Sequence, residues 1–131
     1  MWIERSEVMA WELRADRPIY QQITEKVVLR IISGYYKPGD RLPSVRELAE
    51  EAGVNPNTMQ KALSELEGKR LVFSHRTSGR FITEDCEMIE EIKDTIALEK
   101  VEEFLINMKK LGITGRELME LLGRIIKEEK Q

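Results

Sequence analysis

Apolar positions along the chain change period several times, and each change predicts a new element. In PIYQQITEKVVLRIIS, from Pro18 to Ser33, Ile19, Ile23, Val27 and Ile31 recur every four residues, with Val28 alongside. That spacing predicts an amphipathic helix, and Gly34 supplies its stop. Just before it, MAWELR (Met9 to Arg14) alternates, with Trp11 and Leu13 on one side, the period of a short strand. Residues 1–8 carry no recognisable pattern. Between Leu42 and Leu71 two short apolar stripes follow each other closely: Val45, Leu48 and Ala49, then Met59, Ala62, Leu63 and Leu66. From Met88 a longer stripe runs through Ile89, Ile92, Ile96, Leu98, Val101, Phe104, Leu105, Met108 and Leu111, roughly six helical turns. Gly112 breaks it, and Leu118, Leu121, Leu122, Ile125 and Ile126 mark a last helix.

The punctuation agrees with the periods. Ser44 and Glu47 form a capping box, in which hydroxyl and carboxylate satisfy amide donors that a helix start leaves orphaned. Gly53 can take the left-handed turn that ends that helix. Asn55 then caps the next one, and Pro56 suits its first position. Thr114 and Glu117 repeat the capping box before the last helix. Lys37-Pro38-Gly39-Asp40 reads as a β-turn. Leu71-Val72-Phe73 and Arg80-Phe81-Ile82 flank SHRTSG and read as a hairpin, with Gly79 supplying turn freedom. The fold class that follows is mainly α with a small β-wing. A winged helix-turn-helix domain occupies residues 9–85, and a C-terminal helical hairpin occupies residues 86–131.

The second helix of the pair is the candidate site. Asn57, Thr58, Gln60, Lys61 and Ser64 point away from its buried stripe, and its first turns carry no carboxylate. Amide, hydroxyl and ammonium groups are the types that reach base edges and phosphates in a major groove. Such a face alone is more often ordinary polar surface. The abutting capped helix and compact turn favour a recognition helix. His75, Arg76, Thr77 and Ser78 put small, polar and basic groups at the wing tip, in reach of an adjacent groove or phosphate. Tyr20 and Gln21 could meet a phosphate, and Arg41 either the DNA backbone or Asp40. The terminal hairpin carries more apolar surface than it can cover, which predicts a dimer. Two recognition helices one duplex turn, ~34 Å, apart would fit a palindrome.

Composition modifies this only in part. The net charge of −3 over 131 residues at first opposes a nucleic-acid partner. From Pro18 to Asp85, however, ten Lys/Arg face nine Asp/Glu, whereas from Cys86 onward eight face eleven. The acidity sits in the tail. No apolar run reaches the ~20 residues of a membrane helix, and the N-terminus lacks a signal peptide's plan, which points to a cytoplasmic protein. A lone Cys86 and a lone His75 exclude an internal disulfide and a zinc cluster, and no metal or other cofactor is expected. No nucleophile elbow, phosphate loop or metal constellation is present, so no catalytic residue is assigned and an enzyme is the weakest class. A winged-helix module reading a protein partner remains the alternative to one reading DNA.

From about Met9 to Ile82 the sequence resembles the DNA-binding domain of GntR-type bacterial transcription regulators, through PIYQQI, PGDRLPSVRELA, GVNPNTMQKAL, LE.KRLV and a wing ending SGRFI. The two-helix tail resembles the YtrA subfamily. The resemblance makes Arg46 a DNA-reaching arginine, places Asn57, Thr58, Gln60 and Lys61 at recognition-helix contact positions, and sets Arg76 to Gly79 at a wing tip entering the minor groove. Three positions depart from it: Arg70 and Thr77 where glycine is common, and Gln60 where arginine is. It implies a homodimeric regulator, usually a repressor, with the dimer interface as the place for any small-molecule effector. The candidate DNA-binding set is Arg41, Ser44, Arg46, Asn55, Asn57, Thr58, Gln60, Lys61, His75, Arg76, Thr77, Ser78 and Gly79. The candidate dimerisation set is Ile89, Ile92, Ile96, Val101, Phe104, Leu105, Met108, Leu118, Leu121, Leu122 and Ile125.

Overall fold

The structure is a computed structural model and describes residues 10–129. Its elements are α1 (Ile19–Ile32), α2 (Val45–Ala52), α3 (Pro56–Gly68), β1 (Val72–His75), β2 (Gly79–Ile82), α4 (Cys86–Lys110) and α5 (Gly115–Glu129). Two compact units divide within α4, after Glu90.

In the first unit the predicted stripes meet. Ile23, Val27 and Ile31 of α1, Leu48 and Ala49 of α2, and Met59, Ala62, Leu63 and Leu66 of α3 are all buried, joined by Leu71, Val72 and Ile82 of the wing and by Ile89. Helix α3 packs on α1, on α2 and on β1, and so forms the centre of the unit. Burying a side chain the size of leucine contributes about 1.5–3 kcal/mol, so the apolar side of α3 anchors it and leaves the other side in water. The two strands pair antiparallel in a single hairpin, Val72 opposite Ile82 and His75 opposite Gly79. Asp40 N–H donates to Lys37 O at 2.9 Å, closing the expected β-turn.

The alternating segment at 10–14 is not a strand. Among the described residues the only sheet is the wing, and this segment pairs with neither of its strands. Side chains hold it instead. Buried Gln22 accepts a bond from Arg14 N–H at 2.7 Å and donates to Arg14 O at 2.7 Å and Arg17 O at 3.0 Å. Trp11 lies over the guanidinium of buried Arg30, 4.2 Å from carbon to ring centroid, and its indole donates to Glu51 Oε1 at 3.2 Å. Arg30 donates to the same carboxylate at 3.1 Å and to Tyr36 Oη at 2.8 Å. Met9, the first residue of that expectation, falls outside the described residues.

Helices α2, α3 and α4 end in the same way. In each, the amide after a left-handed residue reaches back five positions: Val54 to Ala49 at 2.9 Å, Leu71 to Leu66 at 3.0 Å, Ile113 to Met108 at 3.1 Å. The left-handed residue is Gly53 or Gly112 in two of them and Arg70, at φ 63°, in the third. A side chain there is strained, because its Cβ crowds the next carbonyl. Thr77, the other position where glycine is common, keeps a negative φ.

In the second unit Thr114 Oγ1 accepts from Glu117 N–H at 3.2 Å while Glu117 accepts from Thr114 N–H at 3.1 Å. Leu118 is buried. Ile92, Ile96, Met108, Leu121, Leu122 and Ile126 are half-buried. Leu98, Val101, Phe104, Leu105, Ile106, Leu111, Met119 and Ile125 remain exposed, Leu111 at 71% and Met119 at 70%.

Candidate nucleic-acid interface

Local sequence fixes α3 at both ends. Asn55 Oδ1 accepts from Asn57 N–H at 2.8 Å and starts α3 at Pro56. At the other end Glu67 accepts from Ser74 Oγ at 2.6 Å and from Arg80 Nε at 2.5 Å, tying the last turn of α3 to both strands of the wing. Burial pushes the Glu67 carboxyl up, but the bonds from Ser74 and Arg80 and the arginine charge more than reverse this and leave it below its ordinary value. With its inner side locked, α3 presents Asn57, Gln60, Lys61 and Ser64 exposed and Thr58 half-buried.

Ser44 and Asn55 are exposed too, but their oxygens already serve as caps: Ser44 Oγ accepts from Glu47 N–H at 3.1 Å. What they can still offer a ligand is a hydroxyl and an amide donor. Arg46 is exposed in the first turn of α2. Arg41 belongs to the wing: its backbone bridges to Phe81, and a Cβ built on Gly79 would meet its Nε at 3.1 Å. Gly79, at φ 100°, therefore needs to be glycine for its conformation and for Arg41's room. Arg76, Thr77 and Ser78 are exposed at the tip, where Ser78 N–H donates to His75 O at 3.2 Å. His75 packs edge-on to Phe81, with centroids 4.8 Å apart.

Some of the cations are paired and others are not. Arg17, Arg30 and Arg80 each pair with a glutamate, Glu25, Glu51 and Glu67 in turn. Among the described residues Arg41, Arg46, Lys61 and Arg76 form no salt bridge. The first turn of α1 has no acidic residue and no side-chain cap. Lys61 Nζ sits 3.9 Å above the centroid of the Tyr20 ring from that turn, a pairing invisible in the sequence because 41 positions separate the two. Sequence reasoning also missed Ile106 and Met119, which lie off the main stripes and are exposed. No group of acidic, histidine or cysteine residues able to hold a metal occurs among the described residues. None of their helices is long and apolar enough to cross a membrane.

The gntR family of bacterial regulatory proteins matches residues 19–82. YhcF of Bacillus subtilis, an HTH-type transcriptional regulator, is 41% identical over 83% of this chain and 90% of its own. The HTH-type transcriptional repressor YtrA of the same organism is 36% identical over 86% and 87%. The chain belongs to the GntR family. Solved structures agree in shape. A GntR family transcriptional regulator from Listeria monocytogenes superposes with a TM-score of 0.78 at 38% identity, covering 86% of this chain and 98% of that one. The DNA-binding domain of AraR in complex with operator ORX1 does so at 0.50 and 29%, over 55% and 88%. The protein is thus a GntR-family transcriptional regulator with a DNA-binding domain of the winged-helix type, not an enzyme.

Proposed function

We propose that this GntR regulator is a cytoplasmic repressor that binds a palindromic operator as a homodimer, with α3 in the major groove and the wing tip at the minor groove. The observation that carries the reading is the exposed side of the first turns of α3, which holds no carboxylate before Glu65 and carries Lys61, with Arg41, Arg46 and Arg76 likewise outside any described salt bridge. Gln60 and Asn57 would read base edges, and Arg46, Lys61 and Arg76 would meet phosphates or the minor groove. Repression is carried over from the name of YtrA, and operator binding from the AraR complex. Residues 9–85 would bind DNA and residues 86–131 would dimerise. The exposed Val101, Phe104, Leu105 and Ile125 suit burial against a second copy, because monomers rarely leave so many large apolar side chains in water. Any small-molecule effector would bind at that dimer interface.

A mobility shift on DNA from upstream of the protein's own gene tests this. Gln60→Ala is expected to relax sequence preference. Lys61→Ala is expected to weaken all sequences alike and to flatten the salt slope by about one unit. Equal binding of random DNA by wild type and both variants would defeat the reading, and failure to bind any duplex would favour a protein partner instead.

A further inference from the structure

We propose that Tyr20 is a positioning residue for Lys61: its ring holds the ammonium at the flank of α3 in the free protein, ready to meet a phosphate. The inference rests on the DNA-binding reading above and adds to it a residue outside the reading helix.

The two residues come from packed helices. Tyr20 is half-buried in the first turn of α1, Lys61 is exposed in α3, and the ammonium lies 3.9 Å from the ring centroid. Pro18, Ile19, Asn57 and Thr58 complete a notch of about 430 Å³ around them, with no carboxylate in its lining. A lysine is a point charge on a long flexible stem, and engaging a phosphate normally immobilises that stem at the moment of binding. The negative face of an aromatic ring attracts the ammonium without neutralising it. A glutamate in the same place would also order the lysine, but it would cancel the charge that releases counterions from DNA. The ring leaves the outward N–H donors and the full charge for the phosphate. It stabilises the extended lysine in the free protein and therefore reduces what must be ordered on binding.

The test uses the full chain, a mixed-sequence fluorescent duplex of about 30 base pairs, three helical turns, and four variants: Tyr20→Phe, Tyr20→Leu, Lys61→Met and the Leu/Met double variant. Tyr20→Phe keeps the ring and is expected to bind like wild type. Tyr20→Leu keeps apolar bulk but removes the ring, and is expected to bind about two- to fivefold more weakly, the worth of an exposed cation–π contact. In the Lys61→Met background the same change is expected to do nothing. A readout free of DNA accompanies these. In the wild type and Tyr20→Phe, ring current shifts the Lys61 ε-methylene protons upfield, and Tyr20→Leu returns them to an ordinary lysine position. Undiminished binding by Tyr20→Leu while Lys61→Met binds weakly, or an equal loss in both Lys61 backgrounds, overturns this inference alone. Lys61→Met that binds as well as wild type likewise overturns this inference alone, whereas wild type that binds no duplex overturns the DNA reading together with it.

Discussion

Replacing Glu67 tests how α3 is joined to the wing. Its carboxylate accepts from Ser74 Oγ at 2.6 Å and Arg80 Nε at 2.5 Å, with side-chain exposure of 31% for Glu67 and 20% for Arg80. Hydrogen bonds to a charged group contribute roughly 1.5–3 kcal/mol each where water is excluded. Water reaches this pair in part, so the two together should contribute about 2 kcal/mol, above the range of a surface ion pair and below that of a buried one. Glu67→Ala is expected to lose that amount. Glu67→Gln keeps an acceptor but no charge and is expected to lose about half. For a domain of this size 2 kcal/mol corresponds to a fall in midpoint of roughly 8–16 °C. Urea and thermal unfolding followed by Trp11 fluorescence, in a Trp2→Phe background, measures it. Arg80→Met in the same series closes a double-mutant cycle whose coupling should be about 1 kcal/mol.

The cycle also has a pH signature. Because the folded pKa of Glu67 is depressed, its contribution is present above the ordinary value of 4.5 and is lost as pH falls through the lower folded value. The penalty of Glu67→Gln should therefore shrink in acid. Additive single variants, or a penalty independent of pH, would refute the reasoning.

Arg70→Gly is expected to stabilise the domain. Releasing a left-handed side chain at φ 63° gains about 1–2 kcal/mol, glycine's freedom in the unfolded chain takes back roughly 0.5–1, and a rise in midpoint of roughly 2–8 °C remains, whereas Arg70→Ala should give none. In the second unit the Glu117 carboxyl is held below its ordinary value by the Thr114 amide and hydroxyl. Helix α5 should accordingly fray as pH drops below about 4.5, and circular dichroism of Glu117→Gln should show a flatter acid limb.

Much of the fold was readable because its decisive signals are local. The Ser44–Glu47 and Thr114–Glu117 boxes, the Asn55 cap, Gly53 and the wing turn each lie within a few residues and recur in the coordinates as hydrogen bonds. What was not readable depends on residues far apart. Arg30, seven positions after Ile23 and three after Val27, lies on the apolar side of α1 and is 2% exposed, but the Trp11, Tyr36 and Glu51 that converge on its charge cannot be named from that spacing. The same convergence explains the missing strand. Alternation around Trp11 and Leu13 records which side chains face inward, and it cannot say whether a neighbouring edge exists to complete a ladder. Glu51, placed toward water by its helical spacing, is half in water and half bound to Arg30 and Trp11. Which side of α3 faces water was the more legible part, since the apolar stripe of that helix locates the exposed side by exclusion.

Net charge was the weakest guide to function, for a reason the ion pairs make concrete. The field at a groove is set by charges within about a Debye length, ~8–10 Å in ordinary salt, and not by the sum over the chain. Around α3 three acids are already engaged: Glu67 with Arg80 and Ser74, Glu51 with Arg30 and Trp11, and Glu47 with the Ser44 amide and hydroxyl that hold its carboxyl below the ordinary value, while Glu50 and Glu65 stay exposed. Each of the three engaged glutamates does structural work and either offsets an arginine or stabilises a helix start. Arg41, Arg46, Lys61 and Arg76 are exposed and outside every described salt bridge. A chain with total charge −3 can thus carry a locally cationic surface, because several of the carboxylates near it are taken up in holding the fold together.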